Sequence, residues 1–386
     1  MKVLLVHNDY GKYSGEEAVV DKMALMLSGL GHDIAQLRMT TAGSRETVRG
    51  RIRGFLSGIY CPSGVRAMRA ALQTEAPDVV NVHNLYPFIS PAALRECKKA
   101  GVPVVMTIHN FRLMCPTGLF MRNNRPCELC LEKGNEWGCI RYNCEHSLMK
   151  SAGYAARNAV ARIMRHYADC VDRFACITDF QRRKLIQAGF PAEKTIVIPN
   201  PMDVAGNEVA PIGDYVAYSG RISREKGVDM ILEAARRHPD IPFRLAGAVR
   251  DEDLVADLPG NVSLTGYISG STLDGFYRNA RFFVMASRWY EGFPMTILEA
   301  ARYSKPMVAP DHGGFTEIIG EGDNAIGRLF TPGNTDKLSD TICDLWNDRD
   351  LVVSLGQCAA NKLAGNYSTD IISQEWNKLL TQLILH

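Results

Sequence analysis

Along the first half of the chain, short apolar runs alternate with longer segments of helical periodicity. Lys2-Val3-Leu4-Leu5-Val6-His7 is followed by a helical run over residues 16–29 and an extended segment over 32–38. Two more apolar runs, 78–83 and 102–109, flank a helical stretch at 91–100, and Phe174-Ala175-Cys176-Ile177-Thr178 precedes a helix over 179–188. Runs this short and this continuously apolar suit strands buried on both faces, as in a parallel sheet covered by helices.

The alternation breaks at Ile198-Pro199-Asn200-Pro201-Met202-Asp203 and in the loose segment 204–213, then restarts. Strands are expected at 215–219, 243–246, 281–286 and 306–309, and helices at 228–237, 271–279 and 295–303. The pattern predicts an α/β chain of two Rossmann-like doubly wound domains facing a cleft. The first would span 1–199, with an insertion at 111–147, and the second 200–368. An amphipathic helix over 369–386 is expected to pack back on the first. A length of 386 residues accommodates two such cores. Ligands of open parallel sheets bind outside the carboxyl ends of the strands.

Composition narrows the function classes. A formal charge of +2 offers no global attraction to nucleic acid. The first residues read as a strand rather than a cleavable leader, and no apolar stretch has the length of a membrane span. The expectation is a cytoplasmic protein.

The most informative chemistry lies in Glu291-Gly292-Phe293-Pro294-Met295-Thr296-Ile297-Leu298-Glu299. One acid stands at a Gly/Pro turn after a strand, and the second roughly two turns along the following helix. Free N–H groups at such a turn can meet an anion, and a carboxylate can accept from sugar hydroxyls. Upstream, Ser219-Gly220-Arg221-Ile222-Ser223-Arg224-Glu225-Lys226-Gly227 also joins a strand to a helix. Arg221 supplies a planar fork and Lys226 a point charge, both suited to a diphosphate. Thr265-Gly266-Tyr267 is a small-residue turn against which a base could stack.

In this order and on these elements, the segments resemble the retaining GT-B glycosyltransferases of family GT4, over nearly the whole chain. The resemblance implies transfer of a sugar from a nucleoside-diphosphate donor of UDP or GDP type to a saccharide or lipid-linked saccharide, in bacterial surface polysaccharide or lipopolysaccharide assembly. It places Arg221 and Lys226 on the diphosphate, Glu299 on the ribose and Glu291 on the donor sugar. The segment from Gly292 through Phe293 and Pro294 to Met295 meets the sugar and phosphate through its backbone N–H groups, those of Gly292, Phe293 and Met295. Gly220, Gly266 and Tyr267 complete the donor side.

In the first domain the family has two glycines where this chain reads Tyr13-Ser14-Gly15, so Gly15 alone carries over. His109, at a strand end, falls beside the donor sugar, while His83 and Glu16 fall on the acceptor side. No acid of the first domain presents itself as a nucleophile, and the family is read as attacking from the face the diphosphate leaves. Glu291, His109, Arg221 and Lys226 are then the catalytic set, without a catalytic metal. Asp251-Glu252-Asp253 reads as a charged surface turn. Two rival readings are a nucleotide-sugar 2-epimerase on the same architecture and a non-catalytic nucleotide-sugar-binding subunit.

Two features stand apart from that motif set. Cys115, Cys127, Cys130, Cys139 and Cys144 crowd one Gly/Asn/Pro-rich insertion. In a reducing compartment a tetrahedral zinc, bound by four thiolates or three with His146, is the expected staple, with free thiols or an iron–sulfur cluster as the alternatives. Between residues 38 and 69, Arg38, Arg45, Arg49, Arg51, Arg53, Arg66 and Arg69 face one acid, Glu46. Lys150, Arg157, Arg162 and Arg165 follow among apolar residues of 149–166. A basic amphipathic surface suits an anionic membrane face, so peripheral attachment to the inner face of the membrane is expected; a solvated charged face is the alternative.

Overall fold

The apolar runs form strands because β-branched and aliphatic side chains cover both faces of a pleated ribbon. In the computed structural model, the described residues are 1–10, 14–41, 48–204 and 210–385, with backbone alone described for 48–53. Two compact units result. The first comprises Met1–Phe120, Glu128–Pro199 and Ile372–His386; the second comprises Met121–Cys127 and Asn200–Ile371.

The first unit holds β1 (Lys2–Asp9), β2 (Asp33–Thr40), β3 (Val79–Asn84) and β4 (Val104–Ile108). After the two-residue strands β5 (Met121–Arg122) and β6 (Arg125–Pro126), which form a hairpin, come β7 (Arg173–Cys176) and β8 (Thr195–Val197). The sheet order is β2-β1-β3-β4-β7-β8, with every pair parallel. Helix Gly15–Gly29 follows β1, and its start is set by a capping box in which Ser14 and Glu17 exchange side chain-to-backbone hydrogen bonds. One core packs Val3, Leu5, Val79 and Val105 against Met23 and Leu27 of that helix and against Ile372, Trp376, Leu379 and Leu380 of helix Thr369–Ile384.

The second unit contains β9 (Val216–Ser219), β10 (Phe243–Ala246), β11 (Val262–Gly266), β12 (Phe282–Val284), β13 (Met307–Pro310) and β14 (Gly327–Phe330). Its order is β11-β10-β9-β12-β13-β14, again all parallel. The strand order reverses between β9 and β12, and in the first unit between β1 and β3. Such switch points open a crevice at the carboxyl edge, because successive crossovers leave on opposite faces.

Some elements escaped the apolar pattern. β8 is a half-exposed edge strand and β14 carries the exposed Arg328, so neither is a continuous apolar run. Helices Pro62–Glu75, Thr335–Asn347 and Arg349–Lys362 are also additional. The helix that carries Glu299 is shorter than expected, Met295–Ala301. No helix of the described residues is long and apolar enough to cross a membrane.

Trp376 is 1% exposed and belongs to the final helix, far in sequence from the strands it covers. Trp376→Ala is expected to lower unfolding free energy by roughly 3–5 kcal/mol in urea denaturation, through lost transfer energy and a residual cavity.

Candidate active site

In the second unit the polar groups gather where β9 and β12 end. Beyond β9, Gly220 donates its N–H to the Ala246 carbonyl at 2.9 Å, and Gly247 donates to the Gly266 carbonyl at 2.8 Å. The turns after β9, β10 and β11 are thereby laced together, which brings Gly220 and Gly266 to the same edge. Glycine is required at Gly227, which has φ +69° and where a Cβ would stand 2.0 Å from the Ala286 carbonyl oxygen. That close approach seats the Gly220–Gly227 turn against the chain leaving β12.

Across this contact, Lys226 Nζ donates to Glu291 Oε1 at 2.5 Å, with side chains only 14% and 15% exposed. Ser287 Oγ at 2.9 Å and Trp289 Nε1 at 2.7 Å donate to the same oxygen. The Lys226 ammonium also lies 5.0 Å from the Trp289 ring centroid. Burial pushes the Glu291 carboxyl up. The charge and hydrogen bond of Lys226, with the two neutral donors, outweigh it and hold the acid below its ordinary range. Arg221 is 46% exposed and pairs with Glu225 at 3.1 Å, while its carbonyl accepts from Tyr218 Oη at 2.7 Å.

The Glu291-Gly292 turn rests on the loop after β13: Gly314 donates to the Glu291 carbonyl at 2.8 Å, and a Cβ on Gly314 would reach 2.6 Å from the Gly292 oxygen. Phe293 is buried, 5.8 Å in ring separation from Tyr367. Glu299, the fifth residue of helix Met295–Ala301, accepts from Tyr277 Oη at 2.5 Å. Burial raises its carboxyl, opposed by that hydrogen bond. Tyr267 is 79% exposed at the end of β11. Asp251 and Asp253 are taken up by Arg224, through its backbone N–H and its guanidinium respectively.

In the first unit, a second polar cluster sits at the ends of β1, β3 and β4. His83 Nδ1 and His109 Nε2 share a hydrogen bond of 2.8 Å with rings stacked at 5.1 Å. His7 stands edge-on to His83 at 6.3 Å. Among the described residues neither ring nitrogen of His7 nor Nε2 of His83 has a hydrogen-bond partner. Burial lowers all three imidazoles, His109 to about 4 by burial alone, while His109 also lowers His7 and His83, and His7 lowers His83. Arg112 donates to Asn84 Oδ1 at 2.9 Å and to Tyr10 Oη at 3.5 Å, and Tyr10 donates to Glu16 Oε2 at 2.9 Å. Burial raises the Glu16 carboxyl, with Arg112 opposing. Gly15 is the first residue of its helix and exposed, with open space where a Cβ would stand; Tyr13 lies outside the described residues.

The structure thus joins Lys226 to Glu291 and His83 to His109, and links Glu16 to Arg112 through Tyr10. Tyr10, Arg112, Tyr277, Ser287 and Trp289 were not singled out from sequence. Ser287 and Trp289 stand four and two positions before Glu291 and Tyr10 six before Glu16, so nearness along the chain was the signal available for them; Arg112 and Tyr277 lie 28 and 22 positions from their partners Asn84 and Glu299.

The remaining expectations divide. Cys139 Sγ donates to the Ser151 carbonyl at 3.6 Å, and Cys144 first, then burial, with Cys115 and Cys130 adding, push its thiol up. Among the described residues, the group of three or more metal-ligand atoms lying within 4.8 Å of one another is His7, Asp9 and Glu17, not a set of thiols. Asp9 is already held by Arg38, and Glu17 by the N–H groups of Tyr10 and Ser14. Cys127 falls with the second unit and the other four cysteines with the first. Arg157 is a correction: it lies on the inward face of its helix, buried, donating to the Pro116 carbonyl, 4.5 Å from the Tyr86 ring centroid and 4.2 Å from that of Tyr154. Arg45 and Glu46 lie outside the described residues, as do the side chains of Arg49, Arg51 and Arg53.

The sequence pattern described as Glycosyltransferase Family 4 matches residues 13–205, half of the chain, and that described as glycosyl transferases group 1 matches residues 208–362. The chain belongs to glycosyltransferase family 4 and is a glycosyltransferase with two Rossmann-like units of the GT-B class. It is 29% identical over 300 residues to an alpha-D-kanosaminyltransferase of Streptomyces kanamyceticus, covering 73% of this chain and 70% of that one. The lipopolysaccharide core biosynthesis mannosyltransferase LpsB of Rhizobium meliloti is 28% identical over 178 residues, 43% of this chain and 50% of its own. Among solved structures, HepE of Anabaena in complex with UDP covers 99% of this chain and 100% of its own, with TM-score 0.68 and 18% identity, a likeness of fold.

The histidine cluster gives acid sensitivity a definite sign. His83 and His109 are depressed in the fold, so below pH about 6.5 the unfolded chain binds protons that the native rings do not. Their contribution is complete above that pH and lost as pH falls towards 4. Glu16 and Glu299, whose carboxyls are raised, act in the opposite sense, so the comparison between variants carries the test. Urea unfolding at several pH values from 7 to 5 is expected to show a shallower loss for His109→Gln than for the parent, by at most about 1.4 kcal/mol per pH unit.

Proposed function

We propose that this glycosyltransferase is a retaining, metal-independent enzyme. It would move a sugar from a nucleoside-diphosphate donor to a saccharide or lipid-linked saccharide acceptor in surface polysaccharide or lipopolysaccharide assembly. The observation that carries this reading is the Lys226–Glu291 pair at the switch point of the second sheet, with the half-exposed Arg221 on the same turn. A diphosphate there meets a guanidinium fork and an ammonium. Glu291 stays ionised and can accept from a sugar hydroxyl. Glu299 lies one helix segment beyond, where a carboxylate fixed by Tyr277 suits the paired hydroxyls of a ribose. Gly220, Gly266 and Tyr267 provide the nucleotide side, with the exposed Tyr267 ring free to stack.

In the reaction, the bond from the anomeric carbon to the diphosphate oxygen breaks and a bond to the acceptor oxygen forms on the same face. The acceptor proton passes to the departing phosphate oxygen. The protein's part is positioning and charge stabilisation. Arg221 and Lys226 take the charge that a divalent cation carries in other transferases. His109, held neutral and oriented by His83, is a hydrogen-bonding group for the donor sugar. His83 and Glu16 belong to the acceptor side, with Gly15 at the start of its helix. A UDP-type donor is supported by the fold neighbour that binds UDP, and the pathway by the lipopolysaccharide relative.

Calorimetric titration with UDP-, GDP-, ADP- and dTDP-sugars tests the donor site. One base class is expected to bind, with Glu299→Ala weakening it about tenfold or more. Lys226→Ala is expected to cut transfer on the order of a hundredfold or more while thermal unfolding stays cooperative. Full turnover in folded Lys226→Ala would refute the assignment.

A further inference from the structure

Away from the strand ends, the first unit carries a cavity of about 340 Å³ on its helical surface. Its floor is apolar: Ile59 ends helix Val48–Ile59, Val65 comes from helix Pro62–Glu75, Ala92 from the turn before helix Leu94–Ala100, and Val160 from helix Leu148–Ile163. Tyr60 and Met164 form its lips, 55% and 49% exposed. Leu56 and Ile163, 57% and 68% exposed, lie near the ends of the helices that supply Ile59 and Val160. Single exposed apolar residues are ordinary; two at the mouth of an apolar cavity, with two more on the helix ends that border it, are a binding feature.

The rim is cationic. Arg95 and Lys99 line the cavity, and Arg69 reaches the same carboxylate as Lys99. That carboxylate, Glu96, is the one acid lining the cavity among the described residues, and hydrogen bonds from Arg69 first and Lys99 second hold it down to about 2. Arg95 donates to the Met164 carbonyl at 2.6 Å and to His166 Nδ1 at 3.2 Å, which fixes the guanidinium over the lip. The His166 ring is lowered by burial and then by Arg95, so it adds no charge at neutral pH. Three cations against one acid leave an excess of positive charge beside a hydrocarbon-sized cavity.

We propose that this groove binds the hydrocarbon chain of an anionic membrane lipid, with the lipid phosphate at Arg95 and Lys99, and so docks the first unit on an anionic membrane. An apolar peptide would satisfy the floor but leave the cationic rim without a counter-charge. A free phosphate would satisfy the rim but leave the floor wet. An amphiphile with an anionic head satisfies both. The inference deepens the proposed transfer to a lipid-linked saccharide and rests on that reading for its biological sense, but the binding itself is measured separately.

The probe is dodecyl phosphate, titrated calorimetrically below its micelle concentration, beside inorganic phosphate and dodecyl maltoside. One dodecyl phosphate is expected to bind per chain, with the neutral maltoside weaker by about tenfold and inorganic phosphate without heat. Val160→Asp on the floor and Met164→Glu on the lip are each expected to weaken binding about tenfold or more, with nucleotide-sugar binding unchanged in both. Vesicles of phosphatidylglycerol and phosphatidylcholine should co-sediment the parent at low salt and release it at high salt, and retain neither variant. Equal affinity in the parent and both variants, or full competition by inorganic phosphate, overturns the groove and leaves the transfer reading standing. Intact dodecyl phosphate binding without any nucleotide-sugar binding supports the groove and removes the transfer reading.

Discussion

A parallel strand buried on both faces has no room for a charged side chain along its length and takes a polar one only where it is hydrogen-bonded, as Asn81 of β3 is to Thr107 of β4, and that constraint governs where this protein can do chemistry. β3 and β4 are buried from end to end, as is β12. Each must hand over to a loop at its carboxyl end before a charged group can appear. The polar groups therefore collect at the carboxyl ends: His7 near the end of β1 and Tyr10 after it, His83 and Asn84 as the last residues of β3, and His109 after β4. Gly220 and Arg221 follow β9 in the same way, and Ser287 and Glu291 follow β12. The strand-order reversals at β1/β3 and β9/β12 widen that edge at one place in each sheet.

Within the second unit, the Lys226–Glu291 pair is costly to form and strongly placed. Removing two charges from water is unfavourable, and their attraction offsets it only with good geometry and further hydrogen bonds. Here Ser287 and Trp289 provide those bonds, and the close seat of Gly227 on Ala286 provides the geometry. Such a pair contributes little net stability. Its consequence is a fixed ammonium and a fixed carboxylate at the mouth of a crevice, already oriented before a ligand arrives.

The first unit handles polarity differently. Its histidines are buried deeply enough that none of the three favours a charge, and the ring nitrogens of His7 and Nε2 of His83 keep hydrogen-bonding capacity unspent among the described residues. Neutral rings of this kind can donate or accept, which suits hydroxyl-rich ligands better than ions. The cationic, apolar groove bounded by Tyr60 and Met164 lies on the helical layer instead, where side chains of four helical segments can leave a gap that a sheet cannot. Polar recognition and apolar recognition are thus assigned to different layers of one unit.

Strand runs, turn glycines and the two α/β alternations were legible in the sequence because the periodicity that marks them is local. So were the segments Gly220–Gly227 and Glu291–Glu299, since each is a contiguous strand-to-helix turn. The edge strands β8 and β14 were not, because partial exposure breaks the apolar run that signals a strand. Nor could a charge count find the inward turn of Arg157, whose helical position faces the core. Pairings across long separations were closed to sequence reasoning altogether: Lys226 with Glu291 across 65 positions, and Tyr277 with Glu299 across 22. The sequence by itself determined the elements and the residue types at their ends, through backbone propensity and side-chain period. Only the tertiary structure decided which ends meet, which charges are buried together and which helices leave a groove, because those follow from the order of strands in a sheet.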